Sequence, residues 1–186
     1  MALLVVGLLL LTGCSGLQGT GDKGYITGDG VVTLVPPGER GEPVSYDGED
    51  LAGDPMSLDS MLGKPVVLQV WASWCPPCRA ETPSVIAAHD ELGDQAHFVG
   101  LNTRESSAAD AQAFVRTSGM DYPSYYTPSG DALLAFQGKL GPRTIPAFVV
   151  LDAQGRIAAS IIGSLPSQQT LVDLTQDVVD EGTADG

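Results

Sequence analysis

Two kinds of apolar pattern alternate along the chain. Three short runs are mostly apolar and rich in β-branched or aromatic residues: 66–71, 98–102 and 147–151. Such runs are typical of strands that are buried on both faces of a sheet. Longer segments with helical spacing lie between and after them, at 76–92, 106–117 and 167–180. Gly93 and Gly119 follow the first two of these segments, where a glycine commonly ends a helix.

Shorter patterns fill the remaining chain. A turn at 152–155 predicts a hairpin between the strand 147–151 and a partner at 157–162. Four weaker elements are also predicted: a hairpin over 43–51 centred on Asp47-Gly48, helical turns at 57–62, an irregular stretch at 122–128 and a short helix at 131–137. Together the elements predict an α/β domain with a central mixed sheet flanked by helices on both faces, the first strands being parallel.

The N-terminus predicts a targeting segment. Residues 2–11 are almost continuously apolar, which is too short for the ~20 residues that cross a bilayer but suits a signal peptide. Thr12 and Gly13 are small and precede Cys14, as in a bacterial lipoprotein box. We therefore expect a signal peptide over 1–13 and a lipid on Cys14. The alternative is a secretory signal with an incidental cysteine, and the absence of Lys or Arg before Lys23 departs from the usual positive start.

A tether is predicted next, at 14–41, because this stretch is rich in Gly, Thr and Asp. Within it, the alternation at 30–35 is also compatible with a strand at the domain edge. The folded domain is predicted to span 42–182. The formal net charge of −14 argues against nucleic acid as a partner, since phosphate binding requires Lys and Arg.

The cysteines carry the candidate chemistry. Two of the three, Cys75 and Cys78, are separated by two residues and follow the first buried strand at the predicted start of a helix. Unpaired N–H groups and the helix dipole favour a thiolate there, and the thiolate is the form that attacks a disulfide. Cys75 is therefore the expected nucleophile and Cys78 the resolving thiol. Half a zinc site is the alternative, but zinc requires four ligands and only His89 and His97 could add to the pair.

Four stretches, read together, resemble the thioredoxin superfamily and, within it, the TlpA/ResA-like branch of extracytoplasmic thiol–disulfide oxidoreductases. They are 63–68, 70–83 with its Trp-Cys-Pro-Pro-Cys, 141–146 and 150–157. The resemblance implies a thioredoxin-like fold in which 102–138 is a helical insertion. It implies a redox-active disulfide between Cys75 and Cys78, without a cofactor or a metal.

The resemblance also implies roles for residues around the cysteines. Glu81 would exchange a proton with Cys78, since Gln69 replaces the buried aspartate of thioredoxin itself. Pro146 would follow a cis peptide bond, and the backbone of Ile145 would then pair with an extended substrate. Trp74 and Pro76 would form part of the docking surface, whereas Trp71 is expected in the core.

The function that this resemblance implies is reduction of disulfides in proteins outside the cytoplasm. The expected substrate is oxidised apocytochrome c before haem attachment, and the expected electron donor is a membrane protein of the CcdA type. The expected location is the outer face of the cell membrane, held by the lipid anchor. The alternative is a non-redox lipoprotein such as a Sco-like copper chaperone, which would need a wider cysteine spacing and a placed histidine. A peroxiredoxin would need Thr or Ser at Ala72.

Overall fold

A computed structural model describes residues 30–136 and 138–184. The predicted signal peptide, Cys14 and most of the predicted tether lie outside these residues, as does Gln137 at the end of the predicted helix 131–137. No helix in the described part of the chain is both long and apolar enough to cross a membrane.

The described residues form one six-stranded mixed sheet and one small hairpin. The strands are β1 (Val31–Leu34), β4 (Val66–Trp71), β5 (His97–Thr103), β6 (Ser124–Thr127), β7 (Ala147–Leu151) and β8 (Ile157–Ile162), with β2 (Asp47–Glu49) and β3 (Pro55–Ser57) in the hairpin. The order across the sheet is β1-β8-β7-β4-β5-β6. β4, β5 and β6 are parallel to one another, while β7, β8 and β1 add antiparallel pairs.

Three α-helices pack against one face of this sheet: α1 (Pro76–Leu92), α2 (Ala108–Ser118) and α3 (Gln168–Ala184). The other face is covered by the β2–β3 hairpin and by two 3₁₀ helices, Leu58–Met61 and Asp131–Phe136. The prediction of helices flanking a mixed sheet is confirmed. On the second face, however, these helices are short 3₁₀ turns rather than α-helices.

The helix limits follow from local capping. Cys75 is extended and caps α1, Pro76 and Pro77 occupy the first positions where their missing N–H groups cost nothing, and Gly93 ends the helix with positive φ. In α2, the Ser107 side chain accepts a hydrogen bond from Asp110 N, and Gly119 ends the helix in the left-handed region. Both helices match their predicted ranges to within about two residues.

Two local predictions are wrong. The hairpin turns at 50–54, where Asp50 Oδ1 accepts hydrogen bonds from Ala52 N (2.7 Å) and Asp54 N (3.0 Å), and Asp47-Gly48 lies within a strand instead. The stretch predicted to be irregular contains β6, which forms the sheet edge by pairing with β5. Its hydrogen-bonding partner is distant in sequence, which explains why local pattern did not reveal it.

The sheet also includes residues that the sequence assigned to the tether. β1 pairs with β8 at the opposite edge, as its alternation indicated. Arg40 then fixes the segment that follows β1: its guanidinium contacts Asp152 Oδ2 at 3.1 Å and Glu181 Oε2 at 2.5 Å, and its Nε donates to Val35 O. Sheet pairing therefore begins well before residue 42.

Candidate active site

Cys75 and Cys78 form a disulfide at the N-terminus of α1, with an S–S distance of 2.06 Å and a Cα–Cα distance of 5.3 Å. Strand β4 and the short link 72–74 deliver Cys75 to the N-cap position, and Cys78 lies in the first helical turn. Cys75 is 3% exposed and Cys78 is fully buried. The pairing expected from the family resemblance is therefore present, with Cys75 as the outer sulfur.

Among the described residues, one backbone amide donates to the sulfur of Cys75. Cys78 N donates to Cys75 Sγ at 3.3 Å. The two preceding helical residues are Pro76 and Pro77, which have no N–H group. A thiolate on Cys75 would thus be stabilised by one backbone hydrogen bond together with the helix dipole, rather than by a full set of unpaired amides.

Glu81 lies on the buried face of α1, one helical turn beyond Cys78. It is only 7% exposed, and burial raises its pKa from an ordinary 4.5 to about 7, although the hydrogen bond from Leu165 N acts in the opposite direction. Leu165 N donates to Oε2 at 2.9 Å, and Oε1 is buried with no partner among the described residues. A carboxyl group in this state can take up or release a proton near neutral pH.

A second buried polar pair lies in the same region. Gln69, in the centre of β4, accepts a hydrogen bond from the Tyr122 hydroxyl at 2.7 Å, while its Nε2 has no partner within the part of the chain that the structure describes. Burial raises the pKa of Tyr122, and the charges of Asp121 and Glu81 raise it further. The phenol is therefore a neutral hydrogen-bond donor, and Glu81 is close enough to affect it electrostatically.

The Ile145–Pro146 peptide bond is cis, as expected. Pro146 is buried, and half-buried Ile145 packs against the core cluster that contains both cysteines. A groove of about 510 Å³ is lined by 141–146, Ile162 and Gly163. Among the described residues of its lining, Arg143 is the only one with a charged side chain. The two predicted substrate-binding residues of this loop thus border an open concave surface.

Trp74 and Pro76 are exposed beside the disulfide, whereas Trp71 is buried, as expected for each. Trp74 is 46% exposed, its Nε1 donates to Arg104 O at 2.9 Å, and the Arg104 guanidinium lies 5.3 Å from the indole centroid. A second groove of about 450 Å³ runs from Trp74 along α2 to Thr117. An open groove therefore lies between Trp74 and α2, distinct from the one beside Pro146.

Sequence reasoning missed Glu105. This residue follows β5 and is 7% exposed, and its carboxylate contacts the link that leads to Cys75. The available signal was topological: β4 and β5 are parallel neighbours, and residues that follow the carboxyl ends of such strands meet at one edge of the sheet.

One group among the described residues has the composition of a metal site. A side-chain ligand atom from each of His89, Asp90 and Asp121 lies within 4.8 Å of the others, and the two aspartates are exposed. His89 is about 16 Å along α1 from Cys78, given the rise of ~1.5 Å per residue. This group is therefore separate from the disulfide.

Comparison with known proteins agrees with this geometry. The Redoxin family matches residues 37–177. The thiol-disulfide oxidoreductase ResA of Halalkalibacterium halodurans is 27% identical over 128 residues, covering 68% of this chain and 70% of the relative. A DsbF homologue from Corynebacterium diphtheriae is 34% identical with a TM-score of 0.74, covering 78% of this chain and 92% of that one. A secreted thiol-disulfide isomerase from Corynebacterium glutamicum is 27% identical with a TM-score of 0.76, covering 87% and 96%.

Proposed function

This chain belongs to the Redoxin family and is a thiol–disulfide oxidoreductase with a thioredoxin-like fold, and from that premise we propose that it reduces protein disulfides outside the cytoplasm while tethered to the membrane. The observation that carries the proposal is the Cys75–Cys78 disulfide at the start of α1. Cys75, the more exposed of the two, is proposed to attack the substrate, and buried Cys78 is proposed to complete the exchange.

The reaction begins from the dithiol form. The Cys75 thiolate attacks one sulfur of the substrate disulfide, so that a Cys75–substrate bond forms and the other substrate sulfur leaves as a thiolate. Cys78 then attacks Cys75 Sγ, and the second substrate sulfur leaves. Two electrons pass from the protein to the substrate, which ends as a dithiol, and the protein ends as the disulfide present in this structure.

Glu81 is proposed to accept the Cys78 proton. Cys78 is buried, so its thiol needs an internal base before it can attack. Glu81 shares the buried face of α1 with Cys78, its pKa is raised to about 7 by burial, and no other described residue bonds to its Oε1. The carboxylate can therefore take the proton during resolution and return it to solvent or to the departing thiolate.

The substrate is proposed to be an extended segment of a protein. The open groove lined by Ile145 and Pro146 supports the placement of such a segment beside their backbone, and exposed Trp74 supports an apolar contact with it. The TlpA/ResA resemblance supports the oxidised Cys-x-x-Cys-His of apocytochrome c as the substrate, with a CcdA-type membrane protein as the electron donor. Both the substrate and the electron donor would contact the protein on the outer face of the membrane.

Membrane attachment is proposed to occur through Cys14. The apolar stretch 2–11 followed by Thr12, Gly13 and Cys14 supports lipidation after signal cleavage. A secreted relative of the same fold in Corynebacterium glutamicum supports an extracytoplasmic location.

The first experiment measures insulin reduction by the full chain in dithiothreitol. We expect loss of catalysis in Cys75→Ser, and accumulation of mixed disulfides in Cys78→Ser, since the attack can occur but not the resolution. Cys14→Ser is the matched control: it should keep its activity and leave the membrane fraction. Full activity in Cys75→Ser would refute the redox proposal, and an unchanged membrane fraction in Cys14→Ser would refute the anchor.

The second experiment addresses the substrate. Cys78→Ser, expressed in its native cell, should form a dithiothreitol-sensitive adduct with an apocytochrome c whose haem-binding cysteines are intact. The same apocytochrome with both cysteines changed to serine should give no adduct. Adducts that persist with this serine variant, or that contain only other proteins, would overturn the apocytochrome assignment.

A further inference from the structure

Glu105 binds the link immediately before the nucleophile. Its Oε2 accepts a hydrogen bond from Ser73 N at 2.8 Å, and its Oε1 accepts one from Ser73 Oγ at 2.9 Å. Asn102 Nδ2 donates to Oε2 at 3.1 Å. The carboxyl group thus accepts three hydrogen bonds from neutral donors, and it is 7% exposed. Two of the three donors belong to the residue two positions before Cys75.

Arg104, next to Glu105, contacts Trp74, the residue that follows Ser73 in the link. Arg104 O accepts the Trp74 indole N–H, and the Arg104 guanidinium covers the Trp74 ring. Arg104 is the one non-glycine residue with positive φ in the described part of the chain, at 51°. A backbone state of this kind is uncommon for residues other than glycine. The turn after β5 therefore fixes both Ser73 and Trp74, directly ahead of Cys75.

A neutral side chain could accept from Ser73, so the hydrogen bonds alone do not explain a carboxylate. Taking an ionised carboxylate out of water is costly, and its partners here carry no compensating charge. The negative charge of Glu105 instead acts electrostatically on the nearby cysteine pair. Ser73 and Cys75 are two residues apart, which places their Cα atoms no more than about 7.6 Å apart.

We propose that Glu105 is a positioning residue that fixes the link before Cys75 and, through its negative charge, shifts the Cys75–Cys78 pair toward the disulfide, which makes the protein a stronger reductant. A negative charge disfavours the Cys75 thiolate of the reduced form. Oxidants of this fold gain their oxidising power from a stabilised reduced form, so the opposite charge effect favours reduction of the substrate. This inference rests on the proposed function and adds a structural reason why electrons pass from the protein to its substrate.

Other charged groups also face the site. Arg79 of α1 donates to Ser73 O at 3.1 Å, and Arg104 lies over Trp74. Glu81 lies on the buried side of α1, and Asp110 of α2 lines the same groove as Glu105. The positive charges of the two arginines oppose the effect of Glu105 on the Cys75 thiolate. The contribution of Glu105 is therefore measured by removing its charge alone.

The expected size follows from Coulomb's law. Over about 10 Å, at an effective dielectric constant of ~20, one charge changes the ratio of thiolate to thiol by roughly tenfold. Glu105→Gln keeps the shape of the side chain and removes the charge. We therefore expect its equilibrium constant for disulfide formation against glutathione to fall about tenfold, which corresponds to ~30 mV for a two-electron couple. The midpoint pH for alkylation of Cys75 should fall by about one unit.

Two further variants separate charge from structure. Ser106 is exposed in the groove beside Glu105, so Ser106→Lys adds a compensating charge without disturbing the core, and it should shift the constant about twofold in the same direction. Glu49→Gln removes the same charge from an exposed strand position and should leave the constant unchanged. Ser106→Lys also keeps the test decisive if Glu105→Gln does not fold.

The outcomes are distinct. A constant equal to that of the wild type in folded Glu105→Gln would overturn the charge effect, as would a shift toward stronger reduction. A purely structural role would lower the melting temperature and leave the constant in place. If wild type itself shows no Cys75-dependent insulin reduction, the proposed function fails. If wild type is active and only the Glu105→Gln and Ser106→Lys constants are unchanged, this inference alone fails.

Discussion

Glu81 should make the stability of the oxidised protein depend on pH in a specific window. Burial raises the pKa of Glu81 from an ordinary 4.5 to about 7, so the native state binds this proton more tightly than the unfolded chain does. Between about pH 4.5 and 7 the native state therefore holds more protons, and the free energy of unfolding falls as pH rises through that window. Below the window Glu81 is protonated in both states and has no cost.

The magnitude follows from the shift. Each pKa unit corresponds to ~1.36 kcal/mol, so ionised Glu81 destabilises the native state by about 3 kcal/mol above pH 7. Glu81→Gln keeps an acceptor for Leu165 N and cannot ionise. Relative to wild type, we expect this variant to be equally stable at pH 4 and about 3 kcal/mol more stable at pH 8.

The assay is urea unfolding followed by circular dichroism, with the disulfide intact, at unit steps from pH 4 to pH 8. Only the difference between variant and wild type is interpreted, because the other titrating groups are common to both. Glu49→Gln serves as the control and should track wild type throughout, since Glu49 is exposed. A constant difference between Glu81→Gln and wild type across this range would show that Glu81 does not titrate there.

Two further substitutions and one control test the ion pair that holds the N-terminal segment and a buried hydrogen bond near the site. Arg40→Ala should destabilise the protein by about 2 kcal/mol in urea unfolding, because buried Asp152 loses one of its two guanidinium partners and keeps Arg156 Nε at 2.8 Å; a loss below about 1 kcal/mol would contradict this. Glu181→Gln, on the exposed side of the same cluster, should cost much less. Tyr122→Phe should cost about 1–3 kcal/mol by leaving Gln69 without its hydroxyl donor, and a melting temperature equal to wild type would argue against that bond.

The elements nearest the chemistry were predictable because their signals are local. The apolar run of β4, the prolines at the first positions of α1 and the terminating Gly93 all act over a few residues. A cysteine pair at a helix start identifies its own reaction type, since helix geometry alone brings the two sulfurs together. The cis bond before Pro146 was predictable only through family resemblance, because the base rate of cis X–Pro bonds is low.

Other features depend on partners that are distant in the sequence. β6 lacks a strong strand pattern and exists as a strand because β5 supplies its hydrogen bonds. The burial of Glu81 depends on the segment containing Leu165, 84 residues away. The contact of Glu105 with Ser73 depends on β4 and β5 being neighbours.

The sequence by itself thus determined the elements, the redox pair and the class of reaction, because turn chemistry, capping and apolar period are properties of adjacent residues. The tertiary structure alone decided which carboxylates surround that pair and how far they are removed from water. Desolvation and charge act through space, and chain spacing does not encode them; they are what set the proton affinity of Glu81 and place the charge of Glu105 beside the link to Cys75.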